Sequence, residues 1–472
     1  MTRPTTAGTT SVVGILVVLE FASGLLQGWL TPLLPSILQQ YGTTAADLNW
    51  VSVVYLLSTA VCVPLMSKLG DLYGHRRLLV VAVVLVAAGA VLVAVAPTFE
   101  LLLLGRALQG PLNAFLPLEF AIVRERTGPR AGRAIGLLVG ALAIGGSLGF
   151  LLSGVSREFL SLSATLWIPA AVMILTVPVT ALLVPETTVR GSGRVDWLGA
   201  GLLSLGLVLL LVAVGKGGAW GWTDQRTIGG VLGGLAVLAV WVVVERRVAH
   251  PVVDVALILR SGLGLPILAG LLFGAELYGS QAAGALFLGL PPGTGYGLGL
   301  SPGQLGFVLL AFGAAAFVGT VVAPRLAERR GAGAALAVGS ALTALGYVLT
   351  ALVHSSAAVF VVWQVLIGVG NGVVLSVLST LVVDRAPADA VGISAGVFNT
   401  ARTIGGAVSG AAFAAVMAAM LALPPGAAQP ITSEAGYVTV WLACAALALG
   451  VTAIAVREAS RASSSPVAAP GA

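Results

Sequence analysis

The stretch Ser67-Lys68-Leu69-Gly70-Asp71-Leu72-Tyr73-Gly74-His75-Arg76-Arg77-Leu78-Leu79 lies between two apolar runs, each long enough to cross a lipid bilayer. A loop this short holds consecutive helices side by side. Its carboxylate, Asp71, is followed by Arg76 and Arg77, and these charges can bind or release neighbouring helix ends. We therefore interpret residues 67–79 as a membrane-surface loop and expect it to be half of a gate.

The composition around this loop is that of a polytopic membrane protein. Apolar residues make up 58% of the 472 positions and charged residues only 9%, with a mean hydropathy of +1.04, whereas a soluble domain has roughly 25% charged residues. The net charge of +6 does not indicate nucleic-acid binding, because membrane proteins concentrate basic residues in loops. Cys62 and Cys444 lie inside apolar runs, which predicts two buried thiols rather than a disulfide.

Fourteen apolar runs of about 20 residues can be counted between polar or Gly/Pro breaks. The first run is interrupted by Glu20, Gln27 and Pro32, so we expect a permanent helix rather than a cleaved signal peptide. Of the 24 lysines and arginines, nineteen fall in one alternating set of loops and three in the other. This bias predicts a multi-pass protein of the cell (cytoplasmic) membrane, with both termini in the cytoplasm.

An internal repeat appears when the opening loop is moved along the chain. At an offset of 257, the segment 68–74 falls on 325–331, with Glu328 on the place of Asp71 and Gly331 on that of Gly74. At an offset of 258, Asn113 falls on Asn371. We predict two parallel six-helix halves, 1–188 and 261–458, a two-helix insertion, 189–260, and a disordered tail, 459–472. Parallel repeats of this kind are associated with alternating-access transporters.

Three acids lie well inside predicted spans, and ionisable groups at such depth usually mark a proton or substrate path. Glu20 and Gln27 share one face of the first helix, and Glu276 shares a face with Ser280 on the ninth. The equivalent positions of these helices in the two halves predict that Glu20 and Glu276 face one central cavity. Glu119 lies five residues before Arg124, which favours snorkelling or a gate ion pair over a central site.

Two arginines also lie inside spans. Arg106 shares a helical stripe with Gln109, Gly110 and Asn113, and a buried guanidinium needs an anion or carbonyl groups as partners. We expect Arg106 to act on a neighbouring acid. Arg402 in the thirteenth helix is either its counterpart in the second half or a group bonded to backbone carbonyls.

The opening stretch resembles the cytoplasmic signature loop of the major facilitator superfamily, G-x-L-A-D-r-x-G-r-k-x-x-l, at Leu69, Asp71, Gly74, Arg76 and Leu79. The segment 105–110 is similar to the fourth-helix motif of that family, whose arginine is implicated in proton coupling. The segments 49–57 and 399–406, with the extra helix pair, look like the fourteen-helix drug:proton antiporter branch. In the fifth helix, Gly145-Gly146-Ser147-Leu148-Gly149 stands where that branch has G-P-x-x-G-G.

The resemblance implies an all-α polytopic protein of the major facilitator fold that exports amphipathic small molecules in exchange for protons. A narrow-specificity metabolite exporter, a proton-linked importer and a transport-inactive sensor remain alternatives. No phosphate loop, zinc helix or nucleophile motif occurs in the sequence, so we expect neither an enzyme nor a cofactor. The expected partners are a small-molecule substrate, protons and the bilayer, with no nucleic acid, and the expected state is a monomer. The candidate residues are Glu20, Gln27, Arg106, Asn113, Glu276 and Arg402 for the cavity, and Asp71, Gly74, Arg76, Arg77, Glu328 and Arg329 for the cytoplasmic gate.

Overall fold

The computed structural model describes residues 6–48, 50–127, 131–187, 196–248, 262–385, 391–424 and 430–464. The first half contains two short 3-10 turns, at Thr31–Leu33 and Gly110–Ala114. Its helices are α1 (Thr6–Trp29), α2 (Leu34–Tyr41), α3 (Ala45–Leu48), α4 (Trp50–Tyr73), α5 (His75–Val95), α6 (Phe99–Leu108), α7 (Phe115–Thr127), α8 (Ala131–Phe159) and α9 (Leu162–Leu183).

The insertion and the second half are also built mainly of helices. A two-residue antiparallel hairpin, β1 (Leu421–Ala422) and β2 (Ile431–Thr432), precedes the last helix. The helices are α10 (Trp197–Trp220), α11 (Gln225–Glu245), α12 (Gly264–Gly289), α13 (Pro302–Arg330), α14 (Ala332–Leu352), α15 (Ala357–Arg385), α16 (Val391–Ala419) and α17 (Glu434–Ser464). Because α17 runs to Ser464, the predicted tail 459–472 begins as helix, and its residues 465–472 lie outside the described part.

Twelve helices in the described residues are long and apolar enough to cross a membrane. The other two of the fourteen predicted spans are also helical. One is broken into α6 and α7 by the 3-10 turn at Pro111, and the other, α12, is less apolar because it carries Glu276, Ser280 and Gln281. Many large apolar side chains point outward, such as Leu182, which is 78% exposed. Such a surface is suited to contact with lipid.

Local sequence accounts for where several helices begin. The Thr98 hydroxyl accepts a hydrogen bond from the Leu101 amide at the start of α6. At the start of α13, Ser301 and Gln304 form a capping box. The turns before α5 and α14 are both made by glycines with positive φ, 112° at Gly74 and 84° at Gly331. The predicted loop at 67–79 is therefore a one-residue turn between α4 and α5, because residues 67–73 and 75–79 are helical. Its repeat, 325–331, lies in α13 and ends in the same left-handed glycine turn, which other residues adopt at a cost.

Each half pairs its first and fifth helices by the same backbone approach. Glycine lets α8 lie against α1, because a Cβ on Gly149 would overlap the Leu25 carbonyl oxygen. Likewise a Cβ on Gly405 of α16 would overlap the carbonyl of Leu271 on α12. Small residues at such spacings permit close helix packing in membranes. Gly149 and Gly405 thus pack their helices within their own halves.

The halves meet at the end of the bundle opposite the gate loops. We call the end that carries Lys68, Arg76 and Arg77 the basic end, and the other the opposite end. Along α8 and α13, Gly306 lies against the backbone of Phe150, and Gly154 lies against that of Pro302. The turn after α1 also contacts α12 and α13 near this end. In this conformation the halves are closed together at the opposite end.

The insertion packs at the seam between the halves. Its helices α10 and α11 contact each other, and α10 also contacts α16 and α4. Leu203 and Leu207 of α10 form a small apolar cluster with Ala60 of the first half, and Ile404 of the second half packs against it. The pair therefore touches both halves.

Candidate functional site

The gate loop is fastened to the end of the sixth predicted span. His75 Nε2 lies 3.0 Å from Asp71 Oδ1, and its Nδ1 lies 3.1 Å from the hydroxyl of Thr187. The amide of Arg76 donates to Glu186 Oε1 at 3.1 Å, and the Arg76 side chain donates to the Ala181 carbonyl. All these partners belong to the first half.

Glu186 is the centre of this network. Its second carboxylate oxygen lies 3.7 Å from Arg77 Nε, and its backbone carbonyl accepts a hydrogen bond from Arg126 at 3.1 Å. A Cβ on Gly74 would lie 2.7 Å from Glu186 Oε1, so only glycine admits this approach. The loop thus ties together the basic ends of α4, α5, α7 and α9, and the Glu186 carboxylate holds it there.

The second gate loop, residues 325–331, is not held by a comparable network of polar contacts in the described residues. Glu328 and Arg329 are exposed, and neither has an ion-pair or hydrogen-bond partner among the described residues. In this conformation the charges of residues 67–79 and 325–331 do not bridge the halves. The prediction that they fasten the halves together concerns a different conformation, in which the basic end is closed.

Glu20 lies beside Glu119 rather than beside Glu276. Both side chains are buried, with 1% and 0% of their surfaces exposed, and their carboxyl groups are close enough to interact electrostatically. None of their four carboxylate oxygens has a hydrogen-bond partner among the described residues. Two ionised carboxylates in such contact would repel, whereas one shared proton lets them bond. Two alternatives were expected for Glu119, a side chain that snorkels to the surface or an ion pair at the gate. Neither is found among the described residues, because Glu119 is fully buried beside Glu20. Gln27 lies further along the same face of α1 as Glu20, and its side-chain amide donates to the Ser23 hydroxyl at 3.4 Å.

Glu276 occupies a second buried polar site, in the other half. Its side chain is 1% exposed, and its Oε2 has no hydrogen-bond partner among the described residues. The Tyr347 hydroxyl on α14 donates to the backbone carbonyl of Glu276 at 3.4 Å and lies near its carboxyl group. That hydroxyl also lies 2.9 Å from the hydroxyl of Ser280. Each acid is thus engaged within its own half, and the predicted shared position of Glu20 and Glu276 is replaced by two separate sites.

Arg106 is held by neutral partners. Its Nε donates to the Val51 carbonyl at 3.1 Å, its Nη1 donates to Gln109 Oε1 at 2.5 Å, and its guanidinium lies 4.3 Å from the centre of the Tyr55 ring. The amide of Asn113 donates to the Tyr55 hydroxyl at 2.7 Å. The cation–π contact and the carbonyl stabilise the charge without an acid. The expected pairing with a carboxylate does not occur among the described residues.

Arg402 has a similar arrangement in the second half. Its Nη2 donates to Asn399 Oδ1 at 2.7 Å, and its guanidinium lies 5.9 Å from the centre of the Tyr278 ring. Tyr278 packs against the same apolar cluster that contains Tyr55. Each arginine therefore lies over a tyrosine, and the two tyrosines meet where the halves join. This arrangement favours the interpretation of Arg402 as the counterpart of Arg106.

A cavity lies between the halves near Glu276. Thr31 and Phe150 of the first half line it on one side, and residues of α12 to α15 and α17 line the rest. Its polar lining is Thr31, Ser280, Gln281, Tyr347, Thr350 and Gln364. Tyr347 therefore lies between Glu276 and the cavity.

An aromatic cap closes the cavity at the opposite end. Phe287 lies 5.0 Å from Trp441 and 6.2 Å from Phe360, measured between ring centres, and both of those rings line the cavity. His354 stacks edge-on against Phe287 at 5.3 Å and contacts Glu434 through Nε2 at 2.9 Å. In the loop beside the cap, burial and the negative charge of Glu434 raise the pKa of Tyr296.

Several of these residues carried weak sequence signals. Tyr55 and Tyr347 are isolated tyrosines within apolar runs, and a tyrosine buried in a membrane helix usually needs a hydrogen-bond partner. Glu186 follows directly after a predicted span that ends at the same surface as the gate loop. The partners of these residues could not be inferred, because they depend on how the helices pack.

A bundle of membrane-length helices in two repeated halves, with buried acids beside a cavity between them, defines a secondary transporter. The sequence profile of the Major Facilitator Superfamily matches residues 16–410. The chain belongs to this superfamily. Among its relatives, the Cephamycin export protein CmcT of Amycolatopsis lactamdurans is 32% identical over 388 residues, covering 80% of this chain and 79% of the relative.

Two further comparisons agree with this assignment. The Tetracenomycin C resistance and export protein of Streptomyces glaucescens is 28% identical, covering 81% of this chain and 71% of that protein. Among solved structures, the nucleoside transporter NupG (D323A mutant) superposes with a TM-score of 0.67 at 16% identity, covering 94% of this chain and 99% of that one. At this identity the structural match shows the fold alone. The relatives show that the chain resembles the drug-efflux branch of the superfamily.

Proposed function

We propose that this chain exports amphipathic small molecules across the cell membrane in exchange for protons, by alternating access. The observation that carries the proposal is the burial of the Glu276 carboxyl next to Tyr347, which hydrogen-bonds the Glu276 backbone and lines the cavity between the halves. A buried carboxylate without a cation is costly, so the acid holds a proton while the site is dry. When the cavity opens to water on one side, the proton can leave and the substrate can be exchanged.

The conformation supports the direction of this cycle. The halves are closed at the opposite end, and the charge bias predicts that the basic end faces the cytoplasm. A cavity open toward the basic end would receive its substrate from the cytoplasm. In the alternate state the basic ends would approach each other, and Asp71 and Arg76 would then fasten the second gate loop. We take the functional unit to be a monomer with cytoplasmic termini.

The proposal is tested by accumulation in everted membrane vesicles. One cationic dye, one neutral hydroxyanthraquinone and one aromatic anion serve as probes, before and after an uncoupler collapses the proton gradient. We expect at least one probe to accumulate and the uncoupler to abolish this accumulation. Accumulation that survives the uncoupler would show that protons do not drive transport.

Substitutions then distinguish the contributions of the two acid sites to proton-driven transport. We expect Glu276→Gln to lower gradient-driven accumulation at least about tenfold, because the amide cannot release a proton. Glu20→Gln should have a comparable effect if the Glu20–Glu119 pair carries the exchanged proton, and a small effect if the pair is structural. Glu100→Gln, an exposed acid in the first turn of α6, is the matched control and should transport like the unmodified protein. Full activity of Glu276→Gln would remove that residue from the mechanism.

A second candidate is an exporter of one narrow class of metabolite. Two of the similar proteins are named for single compounds, cephamycin and tetracenomycin C. Competition among the three vesicle probes distinguishes the candidates, because a multidrug exporter accumulates several probes and a narrow one accumulates a single chemical class.

A further inference from the structure

At the opposite end, a carboxylate of the first half caps a helix of the second half. The Ser301 hydroxyl donates a hydrogen bond of 2.5 Å to Oε1 of Glu158, in the last turn of α8. The amide of Gly303 donates to the same carboxylate oxygen at 3.2 Å. Ser301 is the N-cap of α13, and Gly303 lies in the first turn of that helix. Both hydrogen bonds therefore cross from one half to the other.

The start of α13 leaves one donor for an acceptor outside the helix. The first N–H groups of a helix have no partner within it. The Ser301 amide donates to the side chain of Gln304, and the Gln304 amide donates to the Ser301 hydroxyl. Pro302 has no N–H to satisfy. The Gly303 amide is the donor that this capping box leaves over, and the positive end of the helix dipole favours a carboxylate there.

Glycines on both helices allow Glu158 to reach this position. A Cβ on Gly303 would overlap the Glu158 carboxyl group, which supplies the three nearest atoms it would meet. A Cβ on Gly154, one turn before Glu158, would overlap the carbonyl oxygen of Pro302. The close approach of α8 to the start of α13 thus depends on small residues, and it brings the carboxylate onto the free amide.

The basic end carries a similar contact with a different reach. There the Glu186 carboxylate accepts a hydrogen bond from the amide of Arg76 in the first turn of α5, beside Gly74. That contact joins two elements of the first half, so it can persist while the halves move. The contact of Glu158 joins the two halves, so it has to break whenever they separate at the opposite end.

We propose that Glu158 is a latch that holds the opposite end closed by capping the start of α13 across the boundary between the halves. Its carboxylate lowers the population of the conformation that is open at this end, and its release is a step of every opening. Because Glu158 is exposed, water can replace its two hydrogen bonds as the halves part. The backbone contact of Gly154 with Pro302 has no such polar replacement. The latch concerns the motion of the fold, so it does not depend on the cargo or on protons.

The test measures the distance between the halves at the opposite end. The purified full-length protein is studied in lipid nanodiscs, without substrate and without a proton gradient. Spin labels are placed on cysteines at Gln40 of α2 and at Ser355 after α14, which are exposed residues of the first and second half. The native thiols at Cys62 and Cys444 are replaced by alanine. Longer distances between the labels report opening at this end.

Substitution of the carboxylate should favour the open conformation. We expect Glu158→Ala to raise the ratio of open to closed protein about fivefold, since a charged hydrogen-bonded contact is lost at an exposed site. Glu158→Gln keeps an acceptor oxygen without the charge, so its shift should be smaller and in the same direction. The matched control is Glu100→Ala, which removes another exposed acid of the first half at this end and should leave the distances unchanged. Identical distance distributions for Glu158→Ala and Glu100→Ala would overturn the proposal.

A second substitution acts on the latch from the other half. The methyl group of Gly303→Ala would displace the Glu158 carboxyl group, so this variant should open like Glu158→Ala with all its charges retained. Combining Gly303→Ala with Glu158→Ala should open the protein no further than Glu158→Ala alone, because both substitutions remove one contact. Effects of the two substitutions that multiply would show that they act at separate places, and would refute the latch.

Transport by the same variants distinguishes the latch from the proposed export. A shift toward longer distances in Glu158→Ala, together with no accumulation of any vesicle probe by the unmodified protein, would support the latch and remove the export function. Accumulation by the unmodified protein, together with unchanged distances in Glu158→Ala, would remove the latch and leave export standing.

Discussion

The contact between Gly306 of α13 and the backbone of α8 offers a direct test of how the halves close. A Cβ at position 306 would lie 2.7 Å from the Phe150 carbonyl oxygen and 3.2 Å from Leu151 Cα, whereas ordinary contact begins at 3.4 Å. Gly306→Ala therefore requires the two backbones to separate by about 0.7 Å. Overpacking of this kind costs about 1–3 kcal/mol. Because the contact joins the halves, the cost falls on the conformation closed at the opposite end.

A penalty of about 1–3 kcal/mol on one conformation changes its population relative to the other by a factor of about 5–150. The measurement is the distance between spin labels on cysteines placed at the exposed Leu160 and Ser355, in a background with Cys62 and Cys444 replaced by alanine. We expect Gly306→Ala to shift the distribution toward longer distances.

The matched control is Gly140→Ala on α8, where a Cβ would meet nothing within 4 Å. It should leave the distance distribution of the labels unchanged. Identical distributions for Gly306→Ala and Gly140→Ala would show that this backbone contact does not set the closure of the opposite end.

Three further substitutions test the described contacts. Glu186→Ala should lower the free energy of unfolding by about 1–3 kcal/mol, since it leaves the amide at the start of α5 and an arginine unpaired. Thermal unfolding in nanodiscs measures this loss, with the exposed Glu328→Ala as the control. Equal melting temperatures of the two variants would contradict the prediction. Tyr347→Phe should reduce substrate-stimulated proton release in vesicles severalfold while leaving the fold intact, and unchanged release would exclude the hydroxyl as the link to the buried acid. Arg106→Lys should weaken transport about tenfold, because an ammonium group cannot both stack on Tyr55 and keep two directed hydrogen bonds. Transport by this variant at the wild-type rate would show that the stacked, doubly hydrogen-bonded arrangement of Arg106 is not required.

The helical organisation was predictable from the sequence because it depends on local properties. Apolar runs and alternating charge define fourteen spans, and all fourteen are helical in the described residues. The repeat aligned Gly331 with Gly74, and both residues have positive φ. The domain boundaries at 188, 260 and 458 stay predictions, since no observation tests them.

The arrangement of the buried charges was less predictable. Symmetry of the halves favoured one central cavity for Glu20 and Glu276, but symmetry does not determine the contacts of each side chain. Glu119 lies on the face of α7 that meets α1, so the two acids of the first half contact each other. Arg106 instead meets the Tyr55 ring. These contacts join residues far apart in the chain, and one sequence contains no signal that pairs them.

The position of the inserted helix pair has a consequence for the membrane around the protein. The window of α11 that could span the bilayer is only 11% buried, so lipid surrounds most of it, while α10 touches both halves at Ala60 and Ile404. A mismatch between helix length and bilayer thickness is relieved by tilting, at fractions of a kcal/mol per ångström. Tilting of this pair would shift α10 against the two halves that it contacts. A change in bilayer thickness would therefore act on the contacts of α10 with both halves, at a distance from the cavity.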